Sequence, residues 1–117
     1  NTMKSLAILI VILAAPAMAD HEVPYKDASA VLVPPPEYNN QMGARYLGKF
    51  RRILTTHAQV RVMCNAPNAL ACATFPKGRP ATGPAPACTV IMPNNLPADL
   101  YKAVNTHEVG HCMGYRH

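Results

Sequence analysis

The sequence predicts an α+β domain: a small, mostly antiparallel sheet packed on one long helix and stapled by disulfides. Three observations carry this. Short β-rich runs between residues 49 and 92 are separated by Pro- and Gly-rich turns. A helical pattern with caps at its start occupies the C-terminal stretch. The even number of cysteines, 4, follows a leader-like N-terminus.

Taken in order, residues 1–19 are a targeting segment rather than fold. Lys4 supplies the positive charge, Leu6 to Ala15 is an unbroken apolar run, and Ala17-Met18-Ala19 fits a small-residue cleavage site. The run is well short of the roughly 20 apolar residues that span a bilayer. The expectation is a cut after Ala19, a secreted or periplasmic product, and no stable membrane insertion after cleavage. Residues 20–117 then form one domain, which the chain length of 117 allows and does not exceed.

Residues 20–45 lack periodicity. Val23-Pro24 and Val33-Pro34-Pro35-Pro36 favour extended or polyproline geometry. They predict an irregular Pro-rich arm that either wraps the domain or stays mobile. Lys49 to Leu54 reads as a strand. Thr56 with Gln59 three residues later matches a capping box and predicts a short helix to about Cys64. A strand competes for that stretch, because Ala58, Val60, Val62 and Cys64 alternate with Gln59, Arg61 and Met63. His57 is then a surface residue at a helix start. Leu70 to Phe75 and Cys88 to Met92 read as two further strands, joined as a hairpin across a long loop from Pro76 to Pro86. Asn94 and Asn95 offer helix N-caps, with Pro97 and Asp99 in the first turn. The last helix is predicted from about Leu96 to Met113. Its stripe of Leu100, Ala103, Val104, His107 and His111 begins apolar and ends in ligand-type residues, which predicts burial at its start and a cleft at its end.

The net charge of +5 is modest and spread out, Arg51-Arg52 being the one adjacent basic pair. There is no Trp and only 2 Phe. No basic patch interleaved with aromatics exists, so a nucleic-acid partner is not expected. The excess leaves room for a weak preference for acidic peptides or an anionic envelope surface.

The chemistry concentrates in the last residues, His107-Glu108-Val109-Gly110-His111-Cys112-Met113-Gly114-Tyr115-Arg116-His117. Residues four apart share a helix face, roughly 5–6 Å apart at Cβ. His107 and His111 can therefore hold one metal ion without bending the helix. Glu108 is left over from ligation and is available as a base. Gly114 ends a helix readily because glycine enters the left-handed region without a steric penalty. The chain can then turn back and deliver His117 as a third ligand. Three protein ligands and one open position match a catalytic zinc site. A bare His-Glu-x-x-His arises by chance in many helices. The glycine and the third histidine at the right offsets set this stretch apart. Cys112 points away from the histidine face and is not expected to ligate.

This stretch resembles the H-E-x-x-H-x-x-G-x-x-H helix of the metzincin zinc endopeptidases. It is also similar to short secreted bacterial proteins of metallopeptidase type, whose helix reads H-E-x-G-H-C-x-G-aromatic. The resemblance covers residues 107 to 117. It implies a minimal zincin-like domain at 20–117, a Zn2+ cofactor on His107, His111 and His117, and Glu108 as general base. It also implies a peptide or protein substrate, hydrolysed by a zinc-activated water, and an edge strand over the metal that pairs with the substrate, here Thr89 to Met92. An ordinary interior strand is the competing assignment for that segment. Two features depart from the family pattern. The sequence ends at His117 before any Met-turn and is far shorter than a metzincin catalytic domain, which fits either a minimal relative or an incomplete C-terminus.

Cys64, Cys72, Cys88 and Cys112 allow three connectivities. Cys64–Cys72 with Cys88–Cys112 is preferred: the first closes a short loop, and the second fastens a strand to the last helix. The alternative to an enzyme is a non-catalytic zinc-binding or interaction protein on the same scaffold. A stapled secreted module, such as an inhibitor with a coincidental motif, is a third. Carboxylates available to orient the histidines are few: Asp20, Glu22, Asp27, Glu37 and Asp99.

Overall fold

A computed structural model describes residues 27–76 and 82–117. The leader assigned to residues 1–19, its cut after Ala19, the Asp20-His21 terminus and the loop residues Lys77 and Arg79 lie outside the described residues. Strand β1 (Lys49–Thr55) is followed by helix α1 (His57–Met63), strand β2 (Cys72–Thr74), strand β3 (Ala87–Pro93) and helix α2 (Ala98–Cys112).

The sheet has the order β1-β3-β2. Strands β2 and β3 pair antiparallel over Cys72–Thr74, whereas β1 and β3 pair parallel from Lys49 against Ala87 to Thr55 against Pro93. The expectation of a mostly antiparallel sheet is therefore corrected: the sheet is mixed, and its longer ladder is parallel. The physical reason is the crossover. Parallel neighbours need a long connection, usually helical, and α1 with β2 supplies it. A second correction follows from the same topology. Thr89 to Met92 is not an edge. It lies in the central strand, with a neighbour on each side.

Side chains alternate across a strand, and β3 uses both faces. Val90 and Met92 enter the cluster with Leu100, Val104 and Val109 of α2, while Ile91 joins Val60 and Cys64 of α1. Burial on both faces accounts for the unbroken apolar run Val90-Ile91-Met92. The result is a sheet with one helix on each face. Disulfides fasten both layers: Cys64 to Cys72 ties α1 to β2, and Cys88 to Cys112 ties β3 to α2. This is the connectivity preferred from the sequence. Two disulfides are compatible with an extracellular location, and no helix among the described residues is long and apolar enough to cross a membrane.

Helix α1 forms in place of the competing strand. The Thr56 side chain accepts from the Gln59 N–H, and Val60 faces the core. Helix α2 starts differently from expectation. Its N-cap is Pro97 without a side-chain bond, and neither Asn94 nor Asn95 caps it; Asp99 instead accepts from the Leu100 N–H at 2.8 Å. The helix ends in a Schellman arrangement. The Tyr115 N–H donates to the Gly110 carbonyl at 3.0 Å and the Gly114 N–H to that of His111 at 3.1 Å. Gly114 sits at φ +111, in the left-handed region glycine favours.

The described part of the arm, from residue 27, wraps the domain. It makes three 3-10 turns, Ala28–Ala30, Pro36–Tyr38 and Asn40–Met42. Asp27 caps the first and Asn39 the third, and the Gln41 amide donates to the Thr106 hydroxyl of α2.

The Cys88–Cys112 bridge closes a separation of 24 residues. A Cys88→Ala/Cys112→Ala pair should lower the unfolding free energy by about 3 kcal/mol through the gain in unfolded-chain entropy. Urea unfolding of the oxidised parent and the double variant measures this directly.

Candidate metal centre

Helix α2 carries His107 and His111 one turn apart, and the Schellman turn brings His117 back beside them. The imidazole centroids of His107 and His111 are 4.8 Å apart, and His117 lies 5.1 Å from each. One ligand nitrogen from each of the three falls within 4.8 Å of the others, so the triad could hold a metal ion. His107 and His111 are buried at 0% and 1% exposure, whereas His117 is exposed. The cluster therefore meets solvent on the His117 side.

The two buried rings are held by backbone carbonyls. His107 Nδ1 lies 2.8 Å from the Leu32 oxygen, and His111 Nδ1 lies 2.8 Å from the Tyr115 oxygen. A carbonyl only accepts, so each Nδ1 must carry the proton and donate. In the neutral imidazoles each Nε2 is then the unprotonated, accepting nitrogen. Those two nitrogens face one another at 3.2 Å. Two lone pairs at that separation repel unless a cation lies between them. The edge of a tetrahedron built on Zn–N bonds of about 2.0–2.1 Å is about 3.3–3.4 Å, close to the spacing found. The His107–His111 pair fits one edge of a tetrahedral ion, and with His117 the triad could hold a metal.

Burial pushes the His107 pKa down to about 4, with His111 and His117 acting in the same direction and the Leu32 carbonyl against it. The ring is thus neutral and ready to ligate over the ordinary pH range. Glu108 is also fully buried, at 0% exposure. The expected burial at the start of the stripe holds, Leu100 and Val104 being in the core. The expected open end is corrected: Thr106 to Met113 are buried as well, and exposure begins only after the turn, at Arg116 and His117. The arm and the chain reversal after Gly114 both pack on this end.

The orienting groups were not foreseeable as side chains. Asp27 and Asp99, considered as partners for the histidines, bond Ser29 and the Leu100 N–H instead. Main-chain oxygens take that place, and these leave no residue-type signal in a sequence. Gly110 carries a signal that only the structure explains. A Cβ there would come 2.9 Å from Pro34 Cγ. Glycine thus lets the arm close on the helix beside the Leu32 carbonyl. Cys112 lies in a disulfide and cannot ligate. Tyr115 packs against the site, its ring 5.4 Å from that of His111 in a stacked orientation. His57 is half-buried at the start of α1, remote in sequence from the triad and outside it.

No known protein family, no curated protein and no solved structure matches this chain.

Two outcomes are expected. Gly→Ala inside a helix ordinarily stabilises by about 0.5–1 kcal/mol. Gly110→Ala should do the reverse, because Pro34 must move, and should weaken any divalent metal binding at the triad by about tenfold as the Leu32 carbonyl shifts. Chelator competition and thermal unfolding read the two effects; a more stable variant with unchanged affinity would remove the arm from the site. The second concerns pH. The folded pKa of about 4 for His107 lies below the ordinary 6.5. Between those values the unfolded chain takes up a proton that the folded ring refuses. Metal-free protein should hold this stability in full above 6.5 and lose it as pH falls through about 4, as denaturant titrations across that window measure.

Proposed function

We propose that this chain is a secreted, zinc-dependent peptidase acting on peptide or protein substrates, with His107, His111 and His117 as zinc ligands and Glu108 as general base. The observation that carries it is the opposed Nε2 pair at 3.2 Å, each ring fixed by a carbonyl at its other nitrogen. A zinc ion at this site would supply a Lewis acid for a peptide carbonyl and for water. Glu108 follows His107 on the same helix and is not part of the triad. Its carboxylate accepts the proton of the attacking water and returns it to the departing amine. The exposure of His117 supports entry of substrate from that side. The similarity of residues 107 to 117 to the metzincin helix supports the reaction class, and the two disulfides support a secreted location.

A second reading, a non-catalytic zinc-binding protein, is favoured by one observation: the near-complete burial of His107, Glu108 and His111. Metal there would help a small core to fold. Glu108 separates the two readings, since a structural site has no use for a base.

The test is hydrolysis of a peptide mixture by oxidised, zinc-loaded protein beside Glu108→Gln at matched zinc content. The peptidase reading expects the variant to lose at least about 100-fold in kcat/KM while keeping its metal. If neither protein cuts and both hold zinc, the non-catalytic reading replaces it.

A further inference from the structure

Strand β1 ends the sheet on the side away from β2, and among the described residues nothing pairs with its outer edge. The direction of its backbone groups can be assigned. The Lys49 N–H donates to Pro86 O at 3.1 Å and the Thr55 carbonyl accepts from Asn94 N–H at 2.8 Å. Both bonds are directed at the β3 side. In a strand, both main-chain groups of one residue point the same way and alternate along the chain. Lys49, Arg51, Ile53 and Thr55 therefore bond inward, and Phe50, Arg52 and Leu54 present N–H and C=O outward. The edge is a template for an added strand.

Its side chains say what kind of strand. Lys49 and Arg51 are exposed on the face that Ile53 shares with α1. On the other face Phe50 and Leu54 are 40% and 47% exposed. Between them Arg52 bonds Asn105 of α2 and lies 4.9 Å over the Phe50 ring. No Asp or Glu occurs anywhere from residue 38 to residue 98, while Arg45, Lys49, Arg51, Arg52 and Arg61 all fall in that stretch. The basic charge of this side is thus left without a carboxylate from neighbouring sequence. A cavity of about 350 Å³ adjoins the start of the strand, lined by Arg45, Tyr46, Phe50, Arg52 and Asn40. The Asn40 Oδ1 is buried and has no hydrogen-bond partner among the described residues.

We propose that the outer edge of β1 docks an extended acidic peptide segment of another protein, added to the sheet as a further strand. Carboxylates at alternate positions of that segment face Lys49 and Arg51, and apolar side chains between them cover Phe50 and Leu54. Main-chain bonds to Phe50, Arg52 and Leu54 supply affinity, and the basic row supplies selectivity. A second copy of the chain is a poor occupant, since strand-to-strand pairing through β1 sets Lys49, Arg51 and Arg52 against their own kind. This surface is distinct from the histidine triad and does not depend on the metal.

The experiment measures fluorescence anisotropy of two labelled peptides on the oxidised protein at low salt, with peptide integrity checked by mass. One alternates Glu and Val and the other alternates Lys and Val. The Glu/Val peptide should bind at least about tenfold tighter. Leu54→Pro removes one outward N–H and no bond to β3, so proline is tolerated there, and it should weaken binding about tenfold. Arg51→Glu should weaken it comparably and shift preference toward the Lys/Val peptide. Equal binding of both peptides by the parent overturns the proposal, as does full retention of Glu/Val binding by folded Arg51→Glu. If circular dichroism finds Leu54→Pro folded, its undiminished binding overturns it too. A dimer in sedimentation that Leu54→Pro abolishes assigns the edge to a second copy and likewise overturns it.

Discussion

Two imidazole nitrogens face each other at 3.2 Å in a buried place, and the rest of the structure is arranged around keeping them there. Left alone, two such rings would rotate apart or share a proton. Here each is fixed from behind by a carbonyl, Leu32 for His107 and Tyr115 for His111. Those oxygens come from opposite ends of the described chain. The Tyr115 oxygen is delivered locally, by the turn that Gly114 permits. The Leu32 oxygen is delivered across a separation of 75 residues, and that contact requires the arm to lie on α2. Gly110 makes the approach possible, and the Gln41–Thr106 bond secures it farther along the helix.

The sheet and disulfides serve the same constraint from the other side. Val90 and Met92 of the central strand press on Leu100, Val104 and Val109 of α2, and Cys112 is bonded to Cys88 of that strand. The helix that bears His107 and His111 is thus held along one flank by β3 and along another by the arm. A domain this small buries only a modest core. Two covalent ties and an extended wrap compensate for what packing alone would leave loose.

Much of this was legible in the sequence, and the reasons for the misses are physical. The triad was readable because helical spacing places His107 and His111 on one face and glycine at 114 has one conformational use. Thr56 with Gln59 identified α1 against its alternating rival, since a cap satisfies donors that a strand pattern leaves open. The strand positions were readable from β-rich runs; their partners were not. A short segment does not announce which neighbour it takes, so the parallel pairing of β1 with β3 and the central place of Thr89 to Met92 emerged only in three dimensions. The groups that orient the histidines were illegible for a simpler reason. Every residue has a carbonyl, and nothing in the identity of Leu32 or Tyr115 says where its oxygen points. Burial at the end of α2 was missed because the arm, without periodicity, gave no sign of which surface it would cover.

This division bears on how the metal and the fold depend on each other. His107 is oriented by the arm, His111 by the turn after Gly114, and His117 lies on the segment after that turn. Of these supports the arm also reaches the core, through Val31, whereas the segment from Gly114 to His117 lies outside it. A metal held by the triad would return binding free energy to the ordering of the arm at Leu32 and of residues 114–117. A cation between the opposed nitrogens would replace a repulsion with two bonds, and would favour the closed position of both flanking segments over any arrangement in which Leu32 or Tyr115 has withdrawn. Glu108, on the same helix, is buried as well, in surroundings where charge–charge interactions are less screened than in water. Preorganisation and limited access thus arise from one arrangement, and the exposed side at His117 is where they meet.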